Sequence, residues 1–189
     1  HNINLVTPCH VVAQIIRAVA IAAHRGLQLP LVYNTGGYDS PEALALLDGI
    51  IDIYMPDMKY GDSGVARRYS RVRDYIEITR AAVKKMHHQV GDLVLDEQGI
   101  AQRGLLVRHL DLPENIAGTE QVLTYFASEI SPDTYLNLMD QYRPCYRADE
   151  YPPLDRPLDA GEFTAALDVA GKYGLHRLDR HNSRRWQAY

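Results

Sequence analysis

Asp57 and Lys59 stand two residues apart at the end of an apolar run and bring a carboxylate and an ammonium together. On extended backbone, side chains at i and i+2 point to the same side. The pair is either an internal ion pair that fixes a strand end or a clamp for a zwitterionic or polyhydroxylated ligand. Arg108, beside His109, follows another apolar run. A buried arginine without an acid partner is costly, and Asp57 or a ligand carboxylate would supply that partner. Asn34 opens Asn34-Thr35-Gly36-Gly37, which reads equally as a simple turn, because Asn and Gly tolerate positive φ, or as a ligand contact. Thr7 begins Thr7-Pro8-Cys9-His10 after the first apolar run, and Gln141 and Tyr142 follow the last. His87-His88 is a weaker candidate for metal binding, because adjacent residues on a helix point about 100° apart. Cys9 has no base near it in sequence except His10. No P-loop, GxGxxG, HExxH or GxSxG pattern occurs.

Elements that would position these residues follow from the spacing of apolar positions. The runs Ile3–Val6, Leu29–Tyr33, Ile50–Met55, Leu105–Leu110 and Tyr135–Met139 are mostly continuous, as in strands covered on both faces of a parallel sheet. Between them, Val12, Ile15, Ile16, Val19 and Ala23 share one face of a helix over Val11–His24. Ser40, Pro41 and Glu42 supply an N-cap, a first-turn proline and a first-turn acid for a short helix ending before Gly49. Helices are also expected over Asp62–Tyr69, Tyr75–Val90, Thr119–Ile130 and Ala160–Gly174. Asp96-Glu97-Gln98-Gly99 lies between short apolar pairs and predicts a hairpin over Leu93–Arg103. The stretch Asp140–Pro157, rich in Pro, Tyr and Arg, reads as a long loop of the kind that carries function.

Strand and helix alternate, which specifies a right-handed parallel α/β fold. Ligands in such folds bind at the C-terminal ends of the strands. All the candidates named first fall at those ends, while the strand bodies stay apolar. About five parallel strands with covering helices are too few to close an eightfold barrel. The chain opens inside a strand, so the expected architecture is a partial barrel truncated at its N-terminal strand. The barrel domain would run over residues 1–177, with an irregular basic tail over 178–189. Such a truncated sheet would have an exposed edge.

With 189 residues, 46% of them hydrophobic, and a net charge of -4, the composition fits a globular domain and argues against a nucleic-acid binder. No apolar run approaches the roughly 18 residues that cross a bilayer, and no signal-peptide pattern opens the chain. A cytoplasmic protein without a membrane or nucleic-acid partner is expected. Two cysteines, Cys9 and Cys145, do not make a disulfide framework.

Several segments resemble the radical S-adenosylmethionine (SAM) superfamily, in its branch similar to pyruvate formate-lyase-activating enzyme. They are Asn2–Pro8, Leu31–Tyr38, Leu47–Tyr60, Val107–Pro113, Met139–Pro144 and the Tyr151-Pro152 loop, in family order over nearly the whole chain. The resemblance implies a partial (β/α)6 barrel of the TIM type. It also implies a 4Fe–4S cluster held by Cys-x3-Cys-x2-Cys and reductive cleavage of SAM to a 5′-deoxyadenosyl radical that abstracts hydrogen. A glycyl-radical enzyme or other protein substrate is the implied partner, and flavodoxin or ferredoxin the implied electron donor. Asp57 and Lys59 match the family's SAM-contacting Asp-x-Lys. Thr7 occupies the place of the glycine-rich motif that meets the SAM amino group, and departs from its Gly-Gly-Glu pattern. Asn34 begins a turn resembling Asp-Thr-Asn-Gly, again with a change. Arg108 falls near the strand that flanks adenosine, and Gln141 and Tyr142 lie where relatives carry a SAM-contacting histidine. The cluster motif is absent and two cysteines cannot replace it. This chain is therefore expected to be the C-terminal part of such an enzyme, with the cluster in its parent only and no catalytic or metal-binding residue of its own. Rival readings are a parallel-barrel lyase or aldolase with Lys59 as Schiff base, and a cluster-less small-molecule binding module.

Overall fold

The structure, a computed structural model, describes residues 1–179. It is an α/β fold with a six-stranded, mostly parallel sheet. The strands are β1 (Ile3–Val6), β2 (Leu31–Thr35), β3 (Ile53–Pro56), β4 (Val94–Leu95), β5 (Ala101–Leu110) and β6 (Tyr135–Met139). The helices are α1 (Val12–His24), α2 (Pro41–Ala45), α3 (Ser63–Ser70), α4 (Tyr75–Val90), α5 (Thr119–Tyr125) and α6 (Ala160–Lys172). The order across the sheet is β1-β2-β3-β5-β4, and β6 also pairs with β5. Neighbours from β1 to β5 are parallel, while β4 is antiparallel to β5 across the expected hairpin. No helix among the described residues is long and apolar enough to cross a membrane.

The fold has two compact units. The first comprises residues 1–57 and 77–107, the second 58–76 and 108 onward.

In the first unit, Leu31, Val32 and Tyr33 are buried in succession, which confirms a strand covered on both faces. Tyr33 meets Tyr54 edge-on with ring centroids 5.6 Å apart. Tyr54 donates to Gln89 Oε1 at 2.6 Å, and Gln89 Nε2 donates to the Leu44 carbonyl at 2.9 Å. This chain satisfies the polar atoms that β3, α4 and α2 bury. Helix α4 turns Thr79, Val83 and Met86 inward, all fully buried. Ser40 caps α2 by accepting from Ala43 N–H, with Pro41 in the first turn as the spacing predicts. Asp96 closes the hairpin by accepting from the amides of Gln98 and Ile100. Helix α1 is more open than its pattern predicts: only Val12 is buried, and Ala23 is exposed. His87 pairs with Asp92 at 3.0 Å and His88 faces outward, in line with the solvated reading.

In the second unit, Tyr60, Ala66, Tyr75, Leu112 and Ala117 form the buried centre of an apolar cluster. Gly61 is required at its edge, because a Cβ there would lie 2.5 Å from the Gly118 carbonyl oxygen. Asp62 caps α3 by accepting from Val65 N–H, and the helix ends on Arg71, in the left-handed region at φ 62°. Strand β5 ends at Leu110, where the run Leu105–Leu110 places it, so Arg108 and His109, expected at the rim, lie inside the strand. The expected helix over Thr119–Ile130 is α only to Tyr125. A π-helical turn over Phe126–Ile130 completes it, with Ser131 N–H donating to the Phe126 carbonyl at 2.9 Å. Residues 140–157 contain a single 3-10 turn, Ala148–Glu150, and no strand, as expected of a loop. Helix α6 opens with a full capping box between Asp159 and Glu162. The expected irregular tail is corrected at its start. Asp179 N–H donates to Leu136 at 2.8 Å, and Leu178 forms a parallel bridge to β6. Residues 180–189 lie outside the described part.

Candidate functional site

In the first unit, the structure brings together three of the candidates, Thr7, Asn34 and Asp57, at the C-terminal ends of β1, β2 and β3. Thr7 N–H donates to the Asn34 carbonyl at 2.8 Å, and Asp57 N–H donates to the Thr35 carbonyl at 3.0 Å. Thr7 is exposed, while Asn34 and Asp57 are half-buried. Thr7 has φ 52° and ψ 52°. The left-handed region costs an L-residue roughly 1–2 kcal/mol, and for a β-branched side chain such a residue is an outlier. Strain of this kind persists where surrounding structure holds it, and it concentrates at functional sites.

The turn after β2 has a keystone that sequence reasoning missed. Asp39 is 2% exposed, and it accepts from Thr35 Oγ1 at 2.6 Å and Tyr33 Oη at 3.0 Å. Burial raises its carboxyl above the usual carboxylate range, while the two hydroxyl bonds pull it back. The same burial, beside Asp39, pushes the Tyr33 phenol up. Gly37 stands at φ 81°, and a Cβ there would lie 2.2 Å from the Asp57 carbonyl oxygen. Turn and Asp57 are thus in backbone contact. A Tyr at 33 and an Asp at 39 flanking the Asn-Thr-Gly-Gly turn were the available signal.

Asp57 and Lys59 both lie beyond β3, which ends at Pro56, so the same-side rule for extended residues does not govern them. Lys59 is exposed, and its backbone N–H donates to Tyr75 Oη at 2.7 Å.

In the second unit, Lys59 and Tyr142 line one cavity of about 460 Å³. Its cations are Lys59, Arg68, Arg71 and Arg147, and no carboxylate lines it. Five tyrosines, Tyr60, Tyr69, Tyr142, Tyr146 and Tyr151, form much of the wall, over a base of Leu110, Leu112 and Leu154. Tyr142 Oη donates to the Leu154 carbonyl at 2.7 Å, which fixes the loop end against the wall. Burial raises the Tyr142 phenol. Gln141 is exposed and outside this lining, with its amide against Met139 Sδ at 3.3 Å. Arg108 is half-buried, and its carbonyl accepts from Met58 N–H at 2.9 Å.

Beside Arg108 lies a buried polar chain that the sequence did not announce. His109 is fully enclosed, with Nδ1 2.5 Å from the Met58 carbonyl and Nε2 2.9 Å from Thr119 Oγ1. Thr119 Oγ1 in turn lies 2.7 Å from Asp111 Oδ1, which also accepts from Leu112 N–H. Only a donor suits Nδ1 against a carbonyl, so Nδ1 carries hydrogen. Thr119 has one hydroxyl hydrogen for two contacts. The chain therefore holds one further proton, on Nε2 with Thr119 donating to Asp111, or on Asp111 with the direction reversed. Burial pushes His109 down to about 4 and raises Asp111, so both shifts favour the uncharged arrangement.

Cys9 and Cys145 are both exposed free thiols. Among the described residues, no group of three or more His, Cys, Asp or Glu is arranged to hold a metal ion. No protein-family model matches the chain. Over 147 residues the chain is 33% identical to an uncharacterized protein of Methanocaldococcus jannaschii. The match covers 78% of this chain and 39% of the archaeal protein, so the chain spans about two fifths of that relative's length.

Proposed function

We propose that this chain is the SAM-binding body of a radical SAM enzyme similar to pyruvate formate-lyase-activating enzyme, folded as a partial (β/α)6 barrel. The observation that carries the reading is the rim of the first unit. Three parallel strands end side by side in Thr7, Asn34 and Asp57, and Thr7 is held there in a strained conformation. Ligands of parallel α/β folds bind at that end. Within the first unit the donor types also suit SAM: the Asp57 carboxylate for its ammonium group, and Thr7 and Asn34 for hydroxyl and amide contacts. Lys59 enters the reading through the Asp-x-Lys match alone. When bound, SAM supplies a sulfonium whose reductive cleavage yields the hydrogen-abstracting radical.

The residues present do not fit the 4Fe–4S cluster. It needs three thiolates, and the chain has two cysteines. The reading therefore assigns the cluster ligands to cysteines outside these 189 residues. A glycyl-radical enzyme or another protein as substrate, flavodoxin or ferredoxin as electron donor, and a cytoplasmic setting belong to the same proposal.

Two measurements test it. The gene upstream of His1 should encode a strand followed by Cys-x3-Cys-x2-Cys. In that longer protein, D57A and K59A should each weaken SAM binding at least tenfold while leaving the thermal midpoint within a few degrees. Unchanged SAM affinity in both variants would remove the assignment.

A further inference from the structure

We propose that the cavity between α3 and the 140–157 loop binds a small organic anion with a flat apolar body, such as an aryl phosphate or aryl carboxylate. As a substrate site it rests on the radical SAM reading; the binding itself does not. In a protein of net charge -4, this lining carries four cations and no carboxylate. Arg147 pairs with Glu150, which leaves Lys59, Arg68 and Arg71 as the cations for an anion. Arg68 lies over the Tyr69 ring at 5.1 Å, and Tyr69 meets Tyr151 edge-on at 6.0 Å. Rings from α3 and from the loop are thus set against each other before any ligand arrives. The apolar base disfavours a bare hydrated ion and favours an aromatic body, which tyrosine walls stack well.

Backbone strain points the same way. Arg71 and Tyr146 both hold positive φ, 62° and 58°, and both line this cavity. Arg71 sits where a helix usually ends on glycine. Among the described residues its guanidinium makes no ion pair, so no salt bridge accounts for an arginine there. Tyr146 is 94% exposed, so burial does not account for it either. Strained residues retained on both elements that line one cavity mark a binding role.

The decisive variants are R71G and Y146G, because glycine relieves the strain and leaves the fold intact. Phenyl phosphate and phenylacetate are titrated into the 189-residue chain by calorimetry, with inorganic phosphate and benzyl alcohol as charge-only and ring-only probes. Binding of at least one aryl anion is expected in the millimolar range or tighter, at least fivefold stronger than either half-probe. The two aryl anions together distinguish a phosphate from a carboxylate headgroup. R71G and Y146G should each keep or raise the thermal midpoint yet weaken the aryl anion at least fivefold. The proposal is overturned if the wild type binds neither aryl anion, if a half-probe binds as tightly, or if both glycine variants bind like wild type. Aryl-anion affinity unchanged by D57A, alongside loss of SAM binding in the longer protein, separates this site from the SAM assignment. Failure of one therefore leaves the other standing.

Discussion

Replacing Thr119 by valine should destabilise the protein by about 3 kcal/mol. Valine keeps the β-branch and the volume but removes the hydroxyl between His109 Nε2 and Asp111 Oδ1. Each buried group left without its partner costs about 1–3 kcal/mol, so two cost about 4. The added apolar methyl returns about 1 of these. T119S, which keeps the hydroxyl, should cost less than about 1.5 kcal/mol. The proton count sharpens the test. His109, pushed down to about 4 from 6.5, by itself makes stability fall as pH drops through that window. There the unfolded chain takes up a proton that the folded imidazole does not. Asp111, raised above 3.8, acts in the opposite sense, because the folded carboxyl keeps a proton that the unfolded chain releases as pH rises. A chain holding one shared proton sets the two slopes against each other. D111N should expose the histidine's slope and lose stability on acidification. H109Q should expose the carboxyl's slope and lose stability as pH rises. Urea denaturation of the four variants at pH 4.5, 5.5 and 6.5 measures all of this. A T119V cost under about 1 kcal/mol, or pH slopes of the same sign in D111N and H109Q, would refute the reasoning.

Asp39 offers a second pH probe. Its folded carboxyl is raised by burial, so its contribution to stability declines as pH rises through 3.8 and above. The stability difference between wild type and D39N should therefore shift in favour of the variant between pH 4 and pH 7. Equal differences at both pH values would show that Asp39 is not titrating within the fold. Glu162 behaves oppositely. Arg156, together with the amides of Asp159 and Glu114, holds it down at about 2. Its contribution is complete above 4.5 and lost as pH falls toward 2, so E162Q should lower the thermal midpoint at pH 7 and converge with wild type near pH 2.

What the sequence made legible was the part set by local rules. The continuous apolar run at Leu31-Val32-Tyr33, the Ser40-Pro41 cap and the Asp96 hairpin each depend on a few neighbouring residues, and each forms as read. Strand-end candidates were legible for the same reason, because Thr7, Asn34 and Asp57 stand at the ends of apolar runs in a parallel pattern. The rest depends on residues distant in the chain. Arg108 and His109 were read as rim residues because they are polar, yet both lie inside β5, which ends at Leu110. His109 is accommodated inside the strand by Thr119 and the Met58 carbonyl, 10 and 51 residues away. The cavity was hidden because its wall is shared between α3 and a loop some 80 residues later, and no spacing rule connects Arg71 to Tyr146. Gln141 and Tyr142 are neighbours in sequence, but only the phenol of Tyr142 finds an anchor, at Leu154, and enters the lining.

Gly37 has a consequence for any mutational scan. A side chain at this position would touch no solvent-facing group and no ligand, because the space beside it is filled by the Asp57 carbonyl. Even alanine would push that carbonyl aside, and with it the strand end that carries Asp57. Position 37 should therefore score as intolerant as a ligand-contacting residue while contacting no ligand. Its tolerance profile would cluster with that of Asp57, so G37A works as a displacement of Asp57 that leaves the carboxylate's chemistry unaltered.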